Sequence, residues 1–307
     1  MAIDLLVTGA GGLLGSSLRK LCPTAVCVTR TDCDLRDLAQ VTVLLGDMQP
    51  ARVLHLAGRV GGVRSNADHN ADLFTDNVLI NTNVLSAAQR TGVSRLISVL
   101  ASCAFAVIPD RPSTEEDLHV GMPYEGNLGY GCAKRMLDLH TKLLWQQYGC
   151  RFSTIAPVTM YGPNDNFDLE HGHVIGALIH KVIRAKERAE ALVVWGSGQA
   201  IRQFVFVDDV ARLLLRLVDS FSGPETVIIA PDPGLTIREL VDKLVGLAHF
   251  DGPVVFDLSK PEGVRVKQLG SQRFTERFPE FRFTPIEEGL AETVDWYVKH
   301  AAGTAVT

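Results

Sequence analysis

The sequence predicts an α/β fold, a doubly wound parallel sheet followed by a smaller α/β lobe. Three observations predict it. Short apolar runs alternate with longer helical patterns through the first half of the chain. A glycine-rich turn, Gly9-Ala-Gly-Gly-Leu-Leu-Gly15, joins the first run to the first helical stretch. Tyr130 and Lys134, four residues apart, fall in the fourth helical stretch. Strands that alternate with helices imply right-handed crossovers, and hence parallel pairing.

Taken in order, Ile3–Val7, Ala25–Val28, Arg52–Leu56, Arg95–Leu100 and Phe152–Ala156 read as buried strands. Helices are expected between them, near 13–22, 37–47, 77–91 and 129–148. Leu192–Trp195 and Thr226–Ile229 read as further strands, with helices near 173–187, 207–220, 235–247 and 285–299. Proline and glycine punctuate the second half more often, which marks a lobe of shorter elements. The expected division is a dinucleotide-binding domain over 1–165, with further core elements from about 190–230. Residues 166–307 form mainly a substrate-binding lobe. Ligand is expected in the cleft between the two, at the carboxyl ends of the strands. The tail from Ala301 to Thr307 is expected to fray.

Composition excludes several classes. The chain has 307 residues, 46% hydrophobic and 21% charged, with a net charge of −5, so nothing favours nucleic acid or an anionic membrane as a partner. No apolar run reaches the roughly 18 residues a membrane span needs. Met1-Ala-Ile-Asp-Leu-Leu lacks a basic leader segment and enters a strand directly, unlike a signal peptide. The six cysteines show neither a C-x-x-C pair nor zinc spacing, so no metal is expected and a reducing cytoplasm fits.

Gly9, Gly12 and Gly15 follow a strand and open a helix in the spacing G-x-x-G-x-x-G. Such a turn brings backbone amides at a helix N-terminus close to a pyrophosphate; a purely structural turn is the alternative. After the second strand stand Arg30 and Thr31, where an acid would hold an adenosine ribose. A cation there suits a 2′-phosphate, which favours NADP over NAD. Asp34 and Asp37 either cap the next helix or contact adenine, and Ala57-Gly58 would pack against the cofactor. On a helix, Tyr130 and Lys134 share a face. The ammonium would lower the phenol's pKa and make the pair an acid–base unit. Alone, the pair reads as a surface Tyr beside a solvated Lys; the glycine turn upstream shifts the balance.

These features together resemble the extended short-chain dehydrogenase/reductase family, of Rossmann type. In the second half the resemblance narrows to the GDP-L-fucose synthases. It rests on Tyr161-Gly-Pro-Asn-Asp-Asn-Phe167, His173-Val-Ile, Val194-Trp-Gly-Ser-Gly198, Arg202-Gln-Phe, Asp208-Asp209 and the run from Phe256 to Gly263. It spans roughly residues 3–299. The resemblance implies an NADP(H)-dependent 3,5-epimerase and 4-reductase acting on GDP-4-keto-6-deoxy-D-mannose. It also implies a homodimer formed by the two long helices near 77–91 and 129–148. Cys103 and His173 would be the acid and base of epimerisation; His171 is close by, but His173 alone occupies the motif position. Tyr130 would protonate the C4 alkoxide and Lys134 hold the nicotinamide ribose. Gly9, Gly12, Leu13, Gly15, Arg30, Asp34, Ala57, Lys134 and His173 would line the cofactor site. Lys181, Trp195, Arg202 and Lys267 would meet the guanosine diphosphate.

The sequence departs from that pattern at three places. Ala101 stands two residues before Cys103, where the family carries a hydroxyl that bonds the substrate ketone. Ser102 is adjacent, but on a strand it would point the other way. Three accounts stay open: a bulge re-aims Ser102, another group polarises the ketone, or the chain is a weakened variant. Thr159 replaces the usual Asn and Gly176 the usual Pro. The alternative functions are a related GDP-deoxysugar enzyme, of heptose or colitose type, or a catalytically silent NADP-binding protein.

Overall fold

In the computed structural model, residues 3–61, 66, 68–108, 110–169, 172–221, 223–260 and 263–301 are described. In chain order the elements begin β1 (Leu5–Thr8), α1 (Leu13–Leu21), β2 (Val26–Val28), α2 (Leu38–Met48), β3 (Arg52–His55), α3 (Asn70–Thr91) and β4 (Arg95–Val99). They continue α4 (Leu128–Tyr148), β5 (Phe152–Pro157), β6 (Thr159–Tyr161), α5 (Val174–Arg188), β7 (Leu192–Trp195), β8 (Ile201–Arg202) and β9 (Phe204–Phe206). The last are α6 (Val207–Ser220), β10 (Thr226–Ile229), β11 (Leu235–Thr236), α7 (Ile237–Ala248), β12 (Val254–Asp257), α8 (Gln272–Arg277) and α9 (Ile286–Ala301). The expected tail beyond residue 301 lies outside the described residues.

β1, β5 and β10 are buried at every position, as strands covered on both faces must be. They belong to a six-stranded sheet in the order β10-β5-β4-β3-β1-β2, with every pairing parallel. The chain steps outward from β1 to β2, then crosses back to β3. Winding direction therefore reverses between β1 and β3, and sheets of this kind bind ligands outside the carboxyl ends of the strands at such a point. The doubly wound parallel sheet predicted from the sequence is thus the observed architecture.

Local chemistry sets the helix ends. Asp37 caps α2, its carboxylate accepting from the Ala39 and Gln40 amides at 2.8 and 3.2 Å. Thr236 and Glu239 form a reciprocal capping box on α7. Gly92 and Gly149 end α3 and α4 in the left-handed conformation. α3 starts at Asn70, seven residues before the expected start near 77, because its first turns are held by tertiary contacts. Asn70 donates to the Glu125 carbonyl and accepts from the Gly129 amide.

Two apolar cores result. One fills the space around the large sheet, with Leu6, Leu54, Ile97, Ile155 and Ile228 at its centre. The other packs α5, α7 and α9 around Tyr161, Ile179, Leu244 and Leu290. The short strands of this second half form three two-stranded pairs, β6 with β9, β7 with β12 and β8 with β11. The Asp208-Asp209 motif fastens the halves: Asp208 accepts from Ser17 and Lys20 of α1, and Asp209 accepts from the Thr284 amide before α9.

Candidate active site

The glycine turn separates into a packed side and an open side. A Cβ at Gly9 would lie 2.6 Å from the Ala57 backbone, and one at Gly15 would strike the Ala10 backbone. These two glycines let strand, turn and helix close on one another. At Gly11 and Gly12 the nearest atoms to an added Cβ are 3.8 and 3.7 Å away, so that side is open to a ligand. Gly12 caps α1 with no side-chain hydrogen bond, which leaves the first-turn amides of Leu13 and its neighbours to an anion. The residues present therefore fit a dinucleotide pyrophosphate.

Arg30 is exposed just beyond β2. Asp34 does not cap α2 and pairs with the Arg36 guanidinium at 2.6 Å. That bond holds its carboxyl at about 2. The capping role belongs to Asp37.

Tyr130 and Lys134 sit on the first turns of α4, both buried. The Lys134 ammonium lies 5.6 Å from the Tyr130 ring centroid and donates to the Val99 carbonyl at 2.7 Å, at the end of β4. Burial draws Lys134 down to about 8. The expected depression of the tyrosine does not occur: burial pushes the Tyr130 phenol well above its ordinary value, with Cys103 acting in the same direction. Loss of hydration outweighs the neighbouring charge.

Cys103 lies on a single 3-10 turn, Ser102–Ala104, entered through Ala101 in extended conformation. A Cβ on Gly131 would stand 2.7 Å from the Cys103 carbonyl, so the turn rests directly on α4. Burial raises the thiol's pKa, while the Lys267 and Lys134 ammonium groups oppose the rise. The strand geometry that would send Ser102 away from Cys103 does not apply, because a helical turn replaces the strand there. Cys103 thus lies within electrostatic reach of Tyr130, Lys134 and Lys267.

His173 caps α5 and bonds through Nδ1 to Asp165 Oδ1 at 2.8 Å, a contact that raises the imidazole's pKa. Among the described residues its polar side-chain contact is with Asp165. Asp165 was not singled out from the sequence, although it lies inside the Gly-Pro-Asn-Asp-Asn-Phe motif. Its other oxygen is buried without a partner among the described residues. His171, Pro261 and Glu262 lie outside those residues. Gly176, where Pro is usual, has a local reason: its Cβ would sit 2.5 Å from the Asn166 carbonyl.

Farther out, the Lys181 ammonium stands 4.9 Å from the Trp195 ring centroid and donates to the Val193 carbonyl. Arg202 donates to the Ile201 and Val264 carbonyls. Lys267 links the two groups, since it feels both Cys103 and Arg202.

Residues 5–230 match the NAD dependent epimerase/dehydratase family. The chain is 31% identical to GDP-L-fucose synthase of Dictyostelium discoideum, over 96% of this chain and 95% of that one. It is 34% identical to a putative GDP-L-fucose synthase 2 of Oryza sativa subsp. japonica, over 97% and 87%. A GDP-L-fucose synthetase from Naegleria fowleri, solved bound to NADP, superposes with a TM-score of 0.90 at 32% identity, covering 99% and 95%. The chain belongs to the NAD dependent epimerase/dehydratase family and, within it, to the GDP-L-fucose synthase family.

Proposed function

We propose that this protein is an NADP-dependent epimerase/reductase that converts GDP-4-keto-6-deoxy-D-mannose into GDP-L-fucose. One observation carries the reading: Tyr130 and Lys134 of α4 meet Cys103 of the turn after β4 at the carboxyl end of the sheet, with Lys267 acting on the same thiol. When bound, NADPH supplies the hydride that reduces the C4 ketone. The amides behind Gly12 hold its pyrophosphate, Arg30 its 2′-phosphate and Lys134 its nicotinamide ribose.

The protons at C3 and C5 flank the ketone and are acidified by it. Cys103 removes them as the base; burial raises the thiol's pKa, and the Lys267 and Lys134 ammonium groups oppose that rise. His173, kept charged to higher pH by Asp165, returns protons from the opposite face. Tyr130, held protonated by burial, protonates the C4 oxygen. Ser102 opens a helical turn beside Cys103 and supplies the ketone hydrogen bond that Ala101 lacks. Trp195 and Lys181 receive the nucleotide, and Arg202 with Lys267 the diphosphate.

The apolar side chains Phe74 and Leu79 of α3, and Met136, Leu139 and Leu143 of α4, are exposed. We infer that they are covered by a second copy of the chain in a homodimer. Among the described residues no helix is long and apolar enough to cross a membrane. All six cysteines are free, which supports a reducing cytoplasm as its site of action.

The test is NADPH oxidation with GDP-4-keto-6-deoxy-D-mannose, with the product identified by NMR. GDP-L-fucose as product supports the reading. Deuterium uptake at C3 and C5 without oxidation means an epimerase whose reductase half has failed. Neither signal moves the assignment to another GDP-deoxysugar or to a silent protein.

A further inference from the structure

Arg135 follows Lys134 on α4 and is buried. Among the described residues it has no carboxylate partner; its three bonding nitrogens all go to backbone carbonyls. Nε donates to Ala104 at 2.6 Å, Nη1 to Gly121 at 2.6 Å and Nη2 to Val120 at 3.3 Å. A buried guanidinium without a counter-ion carries a large desolvation penalty, so its bonds must fix something the fold does not fix otherwise. The carbonyls come from two separate segments. Ala104 closes the turn that carries Cys103, and Val120-Gly121 belong to the loop that leads into α4. A planar fork is the side chain that can hold two such segments in one plane.

The same turn is restrained at two more points, both by α4. Gly131 presses against the Cys103 carbonyl, and Lys134 holds the Val99 carbonyl upstream. Gly131 and Lys134 fix the approach to the thiol, and Arg135 fixes its exit. Tyr130 is carried by the same helix, one turn earlier. We propose that Arg135 is a positioning residue for Cys103, setting the turn so that thiol and phenol reach one substrate together. The inference rests on the proposed epimerase chemistry and goes beyond it, because Arg135 touches neither substrate nor cofactor.

The test compares wild type with Arg135→Met and Arg135→Lys, using three readouts. These are deuterium uptake at C3 and C5, hydride transfer to the pre-epimerised 4-ketone, and iodoacetamide labelling of Cys103 followed by mass spectrometry without substrate. Buried Cys33 is the internal reporter of unfolding. The expected result is a fall in C3/C5 exchange of about 10²-fold, as a displaced catalytic group produces. Hydride transfer should be largely kept, Cys103 labelling should be faster, and Cys33 should stay unlabelled. Arg135→Lys keeps the charge but loses the fork, so it should show the same split in milder form. If Arg135→Met unfolds and labels Cys33, Arg135→Lys decides. Exchange and Cys103 labelling equal to wild type in a folded variant overturn the proposal, as does an equal loss of both chemical steps. Absence of C3/C5 exchange in the wild type itself would instead overturn the functional reading, while the labelling result still reports on the turn.

Discussion

The two ends of the proposed substrate site are built to different tolerances. At the catalytic end, Tyr130 and Lys134 are buried, Lys134 is bonded to a strand carbonyl, and the Cys103 turn rests on helix backbone. At the nucleotide end, Trp195 keeps 47% of its surface exposed at the end of a two-stranded sheet, and Arg202 lies on a strand of two residues. Bond-making chemistry loses rate steeply when a group moves by an ångström, whereas a stacking face or a cation tolerates such movement. Substitutions at the first end should therefore lower kcat, and those at the second should raise KM.

The largest effect should come from Tyr130→Phe. Removing the phenol takes away the proton donor to the C4 oxygen, and kcat for reduction should fall by about 10²–10⁴-fold. KM should change little and exchange at C3 and C5 should continue. The measurement is NADPH oxidation beside deuterium uptake in the same sample. Reduction close to the wild-type rate would mean that the proton comes from elsewhere.

Ser102→Ala should come next, with a loss of about 10²-fold in kcat if Ser102 supplies the hydrogen bond to the ketone. Ala101→Ser should add little alone but should rescue Ser102→Ala. The pair of variants separates the two hydroxyl positions by steady-state kinetics. A large gain from Ala101→Ser alone would show that the site lacks the donor.

Asp165→Asn probes the proposed catalytic role of His173 through pH. Asp165 raises the His173 pKa in the folded state above its ordinary value of roughly 6.5. The charge pairing therefore contributes stability that is fully present below that ordinary value and is lost as pH rises through the folded one. Removing the carboxylate should move the alkaline limb of kcat/KM to lower pH. The Tm difference from wild type should be widest in acid and should narrow toward alkaline pH. Asp165 is the charged group acting on His173 among the described residues, so an unmoved limb would assign that limb to another residue.

How much of this was legible before the structure depends on whether the signal was local. The large sheet could be read because each parallel strand must be apolar on both faces, and its observed ends fall within two residues of the apolar runs. Tyr130 and Lys134 were legible because i and i+4 share a face on any helix. The start of α3 was not: Asn70-Ala-Asp-Leu73 has no apolar period, and its helix is held by bonds to residues 125 and 129. Nor were β8 and β11, which at two residues each are too short for any period. The Asp165–His173 bond joins residues eight positions apart, and Arg135 bonds to carbonyls 14 to 31 positions away. Such contacts exist only once the chain has folded. The direction of the Tyr130 shift failed for the same reason, since burial, which sequence spacing does not report, outweighs the charge beside it.

The smallest effect should be that of Trp195→Ala, and it tests the looser end directly. The indole is exposed for almost half its surface and offers its face to Lys181 at 4.9 Å. A partly solvated cation–π contact contributes about 0.5–1 kcal/mol, so removing it leaves stability within the range of ordinary surface changes. What the substitution removes is a face for the nucleotide. KM for the sugar nucleotide and the inhibition constant of GDP should therefore rise together, severalfold, while kcat at saturation and C3/C5 exchange stay near wild type. A fall in kcat at saturating substrate would mean that the nucleotide end does more than bind. It would then help place the sugar over Cys103 and Tyr130, and the two ends would be coupled through Lys267, which feels both.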